Sequence, residues 1–498
     1  MTFTAAATTA VVASATTNYV RVEGCGMLHP SIVLFSNSFQ SSYPMAYDEL
    51  IKNEIFPIEV GDTFGRAPED INLLYSPFTD KALLVTRDFL QQVARQMEHP
   101  SDEAPETVKN VISLLTDYEH RKKTALINRD PLHYERMTIL PNNVCYFRCS
   151  YCYSAHGRTG KVISPKILKA ALDHFIDNRR VDTSKQLTLS ILGGGEPMVS
   201  WDLTKFIVEY GSERAKAMGF KPLEITLVTN GSIMTQEMID TIKKHKIIVS
   251  VSFEILEEIQ NLQRGHYDVV SKNIDWMIAE GIRPALRACI TLDNLHLMKR
   301  SIEEVLTRFP GTREVMMEYV ADADILNTSE KIKAFYRDYL DNFMEAHDYA
   351  EAHGLYLDCS AYRNFDLLIE RFCPGDNVLT PEGELSICSR ISSPDDPGYS
   401  DSIYGRVNAD GSVDIDYEKF NHLVNLDVYH YPKCKTCFAK WHCGGGCMAQ
   451  KHIYSEAILD EFCKFTLNFV KRKLLNNLEK EYKQNHGITL QELVDKAM

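Results

Sequence analysis

Three cysteines, Cys145, Cys149 and Cys152, stand at C-x3-C-x2-C spacing just after the short apolar run Met137 to Leu140. With cysteine at 13 of 498 positions, a chance match anywhere in the chain is expected roughly one time in a hundred. Three thiolates on one tight loop can hold three corners of a four-iron four-sulfur cluster, and because such clusters ordinarily take four thiolates, one iron stays open for chemistry. The competing reading, structural zinc, requires four closed ligands and usually two C-x2-C pairs. A second constellation lies downstream: Cys373, then Gly383 and Cys388, then Cys434, Cys437, Cys443, Cys447 and Cys463. An odd cysteine count clustered at ligand spacings points to metal binding rather than to disulfides.

The elements that must position these thiols follow from periodicity. From Arg136 onward, strand-like runs (Met137 to Leu140, Gln186 to Leu192, Leu223 to Thr229, Ile247 to Phe253, Pro284 to Leu292, Glu314 to Val320) alternate with helical ones (Pro165 to Asn178, Leu203 to Met218, Gln236 to His245, Tyr267 to Glu280, Met298 to Phe309). Six β/α repeats predict a parallel sheet curved into a partial barrel, whose site lies at the carboxyl ends of the strands. The cysteine triplet falls on the first of these loops. Gly194-Gly195-Glu196-Pro197 closes the second strand and Thr229-Asn230-Gly231 the third, where Asn-Gly is also an ordinary turn signal. On the fourth strand Ser250, Ser252 and Glu254 share one face, and on the fifth Arg287, Cys289 and Thr291 do, so a polar face lines the barrel interior. Cys289 is there either a small space-filling residue or a hydrogen-atom donor.

Upstream, residues 20–125 mix strand-like pieces (Tyr19 to Val22, Ser31 to Phe35, Ala82 to Val85) with amphipathic helices (Arg87 to Met97, Pro105 to Arg121), as a small α+β domain. Downstream, a helical bridge runs from Glu330 to His353, and Tyr362 to Phe372 reads as about three helical turns. The length suggests about three domains, and 44% apolar residues suffice for real cores. A net charge of -14 with a pI near 5.6 argues against nucleic acid. No apolar run approaches the roughly 18 residues that span a bilayer, and no Lys or Arg precedes Arg21, so a cytoplasmic protein without a membrane partner is expected.

The triplet, Gly194 to Pro197 and the repeat pattern resemble the radical S-adenosylmethionine (SAM) superfamily. The resemblance implies that Cys145, Cys149 and Cys152 hold a SAM-binding [4Fe-4S] cluster, that Tyr151 packs on the adenine, and that Gly194, Gly195, Glu196 and Pro197 hold the SAM amino group. It further implies that Asn230 contacts the ribose and that Ser252 and Arg264 hold the carboxylate. Here the chain departs from many relatives, with Ser252-Phe253-Glu254-Ile255 where they have Ser-x-Asp-Gly. The second constellation reads C-x9-G-x4-C, C-x2-C-x5-C-x3-C and a final Cys, which resembles the SPASM pattern. That implies two auxiliary [4Fe-4S] clusters, three clusters in all: one on Cys373, Cys388 and Cys447, the other on Cys434, Cys437, Cys443 and Cys463. Cys359 is the candidate fourth ligand of the former.

The expected architecture is therefore α/β: a partial (β/α)6 radical SAM barrel, a C-terminal iron-sulfur SPASM domain and a small N-terminal α+β domain. The expected limits are a flexible N-terminus at 1–19, the N-terminal domain at 20–125, the barrel at 130–325, a helical bridge at 326–372, the SPASM domain at 373–465 and C-terminal helices at 466–498. The resemblance implies an enzyme that modifies a ribosomally made precursor peptide by C-C or C-S cross-linking, fed by a low-potential donor such as flavodoxin or ferredoxin. The N-terminal domain then either binds the precursor's leader by strand addition or is a packing extension. Alternatives are a peptide epimerase using Cys289, a non-catalytic iron-sulfur binding protein, and a sulfatase maturase. The last has Asp after the second SPASM cysteine, where Ser389-Arg390 stands here.

Overall fold

The computed structural model describes residues 47–117, 129–155, 158–373 and 377–497, with backbone pairing also at 32–33 and 124–125. The expected strand Tyr19 to Val22 and the N-terminus 1–19 lie outside the described residues. The apolar runs of the barrel form strands β1 (Arg136–Ile139), β2 (Thr188–Ile191), β3 (Glu224–Thr229), β4 (Ile248–Ser252), β5 (Ala285–Ile290) and β6 (Glu314–Tyr319). Each pairs in parallel with the next in chain order. Alternation fixes their faces: Val249 and Val251 of β4 are buried against the outer helices, while Ser250 and Ser252 turn inward. The register puts Ser252 beside Arg287, Arg287 beside Met316, and Cys289 beside Glu318, so those side chains form rows across the barrel interior.

The sheet is larger than the six expected repeats. After the long helix Ser329–Ala352, β7 (Tyr356–Asp358) pairs in parallel with β6, Met316 opposite Asp358. The second cysteine constellation then returns to the opposite edge. There β8 (Val378–Leu379) pairs in parallel with β1, and β9 (Glu384–Ser386), β10 (Ile403–Val407) and β11 (Val413–Ile415) continue antiparallel, making eleven strands among the described residues. Gly383 turns β8 into β9 with φ +82, a left-handed conformation that accounts for the glycine in the cysteine pattern. The helix expected over Tyr362 to Phe372 is a single short one, Ser360–Phe365, followed by a strand at Leu368–Ile369. The aromatic spacing there satisfies a packing surface and not a long helix.

In the N-terminal region, strands Phe56–Glu59, Ile71–Ser76 and Lys81–Thr86 form an antiparallel meander, and Ile32–Val33 pairs in parallel with Leu84 and Val85. All six residues of Ile71–Ser76 are buried because the sheet is covered on both faces. Leu74, Leu83 and Val85 pack on helices Arg87–Glu98 and Glu106–Thr116. Leu73, Tyr75 and Leu84 pack on Val470, Leu474 and Leu478 of the long helix Glu456–His486. Each such aliphatic burial contributes about 1.5–3 kcal/mol, so this domain is welded to the C-terminal helix. Of its sheet edges, one carries Pro57, which cannot donate to a further strand, and the other is taken by Ile32–Val33. Among the described residues no helix is long and apolar enough to cross a membrane.

Candidate active site

The loop after β1 is laced to the loop after β2. Asn142 donates to the Glu196 carbonyl at 3.1 Å and to Ser200 Oγ at 2.9 Å, while its own Oδ1 accepts the Val144 N–H at 2.9 Å. The Gly195 and Glu196 N–H groups donate back to the Asn142 and Val144 carbonyls at 3.1 and 2.7 Å. A Cβ on Gly195 would lie 2.4 Å from Val144 N and O, so this apposition admits only glycine. The same motif thus builds the wall of the cysteine loop. Glu196 is buried, and its carboxylate accepts the Met198 N–H (3.0 Å), the Thr229 hydroxyl (2.7 Å) and the Asn230 N–H (2.6 Å).

The three triplet thiols converge, each of Cys145 and Cys152 acting electrostatically on Cys149, and burial pushes the Cys145 and Cys149 thiols up. Such thiols lose their protons when a metal takes them. N–H donors point at the sulfurs: Arg158 Nη2 lies 3.2 Å from Cys152 Sγ and Asn230 Nδ2 lies 3.9 Å from Cys145 Sγ. The buried Asn143 side chain, next to the triplet, has both polar atoms unpartnered among the described residues. Converging thiols, donors toward sulfur and an orphaned amide fit an iron-sulfur cluster with a polar ligand. Asn230 also accepts the Ser232 N–H at 2.8 Å, so Asn-Gly is a turn whose side chain reaches the cysteine loop.

Tyr151, Glu254 and Arg264 form their own buried cluster. The Tyr151 hydroxyl donates to Glu254 Oε1, Arg264 Nη1 donates to the Tyr151 oxygen at 2.8 Å, and Arg264 stands 3.9 Å from Glu254. Glu254 Oε2 accepts the Cys289 N–H at 2.9 Å. Burial raises the Glu254 carboxyl to about 7, against the opposing pull of Arg264 and the two donors. The acid at the position of departure therefore joins β4, β5 and the cysteine loop. Ser252 sits one row below, beside Arg287. Burial holds the Cys289 thiol well above its ordinary range, so it keeps its S–H.

The second constellation resolves into two groups. Cys447 and Cys373 act on Cys388, while Cys437, Cys463 and Cys434 act on Cys443. Burial pushes Cys437 up to about 11 and Cys443 to about 12. A cavity of about 400 Å³ lined by Cys443, Cys447 and Cys463 lies against them. Cys359, with Cys447 and Cys443, acts on the Tyr319 phenol. Its sulfur caps the helix Ser360–Phe365, accepting the Tyr362 N–H at 3.4 Å, and its electrostatic neighbours are Glu318, Tyr339 and Asp358. Sequence reasoning missed Asn142, Asn143 and Arg158; of these only the Asn142-Asn143 pair preceding the triplet carried a turn signal.

Residues 139–308 match the family described as the Radical SAM superfamily. The chain therefore carries a radical SAM domain, and such a domain uses SAM and a [4Fe-4S] cluster. Among curated proteins it is similar to the radical SAM cyclopropyl synthase TigE of Paramaledivibacter caminithermalis, 20% identical over 161 residues, 29% of this chain and 32% of that relative. The match thus spans about a third of the curated relative's length. Among solved structures it is similar to native anSMEcpe with bound AdoMet, 15% identical, covering 68% of this chain and 98% of that one at a TM-score of 0.51. The same protein with bound AdoMet and the Cp18Cys peptide matches with the same identity, coverage and TM-score. At these identities the likeness is one of fold.

Proposed function

We propose that this protein is a radical SAM peptide maturase, joining two residues of a ribosomally made precursor through a C-C or C-S bond. The observation that carries the reading is the second constellation, whose thiols fold as two groups on a segment that extends the barrel sheet from β1. The neighbour solved with a bound peptide supports a peptide substrate. In this reading Cys145, Cys149 and Cys152 hold the SAM-binding cluster, Cys373, Cys388 and Cys447 one auxiliary cluster, and Cys434, Cys437, Cys443 and Cys463 another. When bound, cluster and SAM supply reductive cleavage of the sulfonium and a hydrogen-abstracting 5'-deoxyadenosyl radical.

The chain's own residues orient and enclose. Glu196 and Asn142 fix the loop whose Gly194, Gly195 and Pro197 would line the SAM amino group, and Asn143 and Asn230 would offer amides to SAM's polar atoms. Tyr151 and Arg264, locked by Glu254, would wall the bound SAM from water, and Ser252 would line its site from β4. The electron comes from flavodoxin or ferredoxin in the cytoplasm. The test is reconstituted protein incubated with reductant, SAM and peptides from adjoining small reading frames. Mass loss of two hydrogens per bond, absent in Cys145→Ala, Cys149→Ala and Cys152→Ala, is expected; 5'-deoxyadenosine formation by the triple variant at the wild-type rate overturns it.

Cys289 favours a second reading, epimerisation, because a thiol kept as S–H inside the barrel can return a hydrogen atom to a carbon radical. An inverted stereocentre with unchanged mass, lost in Cys289→Ala, would establish it.

A further inference from the structure

The interior of the barrel is an accessible space. On β3, β4 and β5 the inward residues Thr226, Val228, Ser250, Ser252, Arg287 and Cys289 are partly exposed, although these strands lie in the middle of the sheet. Their outward neighbours, among them Leu227, Val251 and Leu286, are buried in the apolar core under the helices. The exposure of the inner face therefore comes from within the barrel, beside the SAM site.

Arg287 is a cation in the wall of this space. Its Nη1 donates to Met316 Sδ at 3.3 Å, and among the described residues no carboxylate pairs with it. The acids of the neighbouring rows are held by other groups. Glu254 is held by Tyr151, Arg264 and the Cys289 N–H, Glu318 by Ser360, Glu314 by Arg313 and Asp358 by Arg363. A thioether is a weak acceptor, so most of the guanidinium fork is left for a ligand, and a carboxylate matches it with two parallel bonds. A charge in a cleft walled by apolar groups also attracts an anion more strongly than one on an open surface.

The direction of the side chain separates this cation from the cysteine loop. Asn230, at the end of β3, reaches to 3.9 Å from Cys145 Sγ, and β3 lies two strands from β5, roughly 10 Å at the usual spacing. Arg287 leans the other way, onto Met316 of β6. A carboxylate held at the cysteine loop lies on the Asn230 side, whereas one held by Arg287 belongs to a molecule that enters the barrel. Ser252, beside Arg287 in the register, lies between the two, so a ligand on Arg287 adjoins the SAM site.

We propose that Arg287 is a specificity-determining residue that binds a carboxylate of the substrate inside the barrel, on an acidic side chain or at the chain terminus, and so fixes which part of the substrate lies beside SAM. That the carrier is a peptide rests on the maturase reading; the carboxylate chemistry does not.

The experiment uses the full-length reconstituted protein with SAM, its methionine methyls labelled with carbon-13, and two pairs of small probes. N-acetyl-glutamic acid α-amide against N-acetyl-glutamine α-amide tests a side-chain carboxylate, and N-acetylglycine against N-acetylglycinamide a terminal one. The Met316 methyl signal, identified by its loss in Met316→Leu, reports occupancy next to the guanidinium. In the wild type the acid of one pair is expected to shift that signal and to bind at least about tenfold more tightly than its amide, and the pair that responds identifies the source. Arg287→Leu should abolish the preference and leave SAM affinity unchanged. Equal affinities within both pairs, an acid that binds without moving the Met316 signal, or a preference that survives Arg287→Leu overturns the proposal. So does a tenfold loss of SAM affinity in Arg287→Leu, which would assign the guanidinium to SAM's own carboxylate. If Arg287→Leu fails to fold or to load iron, the wild-type titration decides, an acid-specific Met316 shift supporting the site and its absence overturning it. Failure of peptide modification with the acid preference intact sinks only the maturase reading, and peptide modification without an acid preference sinks only this site.

Discussion

The Glu196 carboxylate accepts the Asn230 N–H at 2.6 Å, which makes the loop after β2 and the end of β3 one rigid unit. Its other oxygen takes the Thr229 hydroxyl and the Met198 N–H. Glu196→Gln turns an NH2 group toward one of these donors while leaving the volume intact. We expect a loss of about 1–3 kcal/mol of stability, together with weaker SAM binding, checked by denaturant unfolding and SAM titration. A variant with wild-type values for both would show that the carboxylate does not position this loop.

Glu254 predicts a pH dependence. Its carboxyl is raised from 4.5 to about 7, chiefly by burial. Below about 4.5 both folded and unfolded chains hold this proton. As pH rises from there to about 7 the unfolded chain releases it and the folded chain does not, so stability falls across that window and levels off above it. Glu254→Gln should remove this loss, amounting to up to about 3 kcal/mol. Unfolding of the cluster-free protein near pH 5 and near pH 8 checks it, and identical pH slopes in variant and wild type would count against it.

Cys359 caps a helix, so its hydroxyl analogue should serve there equally well. We expect Cys359→Ser to retain wild-type iron and sulfide, whereas Cys388→Ser or Cys447→Ser loses the signal of one auxiliary cluster. Iron and sulfide analysis with EPR decides. Loss of one cluster's iron from Cys359→Ser would instead make Cys359 the fourth ligand of the cluster on Cys373, Cys388 and Cys447.

Glu54 docks the N-terminal domain on the second constellation. Its carboxylate accepts Lys440 Nζ at 2.8 Å and Trp441 Nε1 at 2.7 Å. Lys440 and Trp441 are buried, so Glu54→Ala strands a cation and an indole N–H. The expected cost is about 1–3 kcal/mol, with faster limited proteolysis between residues 47 and 117. Unchanged proteolysis would mean that the apolar contact with the C-terminal helix suffices for docking.

What the sequence determined is whatever repeats locally or sits within a few residues. The C-x3-C-x2-C triplet, Gly194 to Pro197 and the six β/α repeats were legible because strand alternation and loop spacing are short-range properties. The polar inner faces of β4 and β5 followed from the same alternation. Tertiary structure alone decided the rest. Strands β7, β8 and β9 are two or three residues long, too short for a period, and exist only because β6 and β1 offer open edges. Tyr151 meets Glu254 across 103 positions, and Tyr75 meets His442 across 367. Arg390 reached Tyr153 only because the second constellation folds back on the first. Cys359 was legible as a candidate ligand by its position in the chain, whereas its place as the cap of the helix Ser360–Phe365 is set by the folded chain. Contacts at such separations are set by which surfaces remain to be buried once the local elements exist, and no spacing records that.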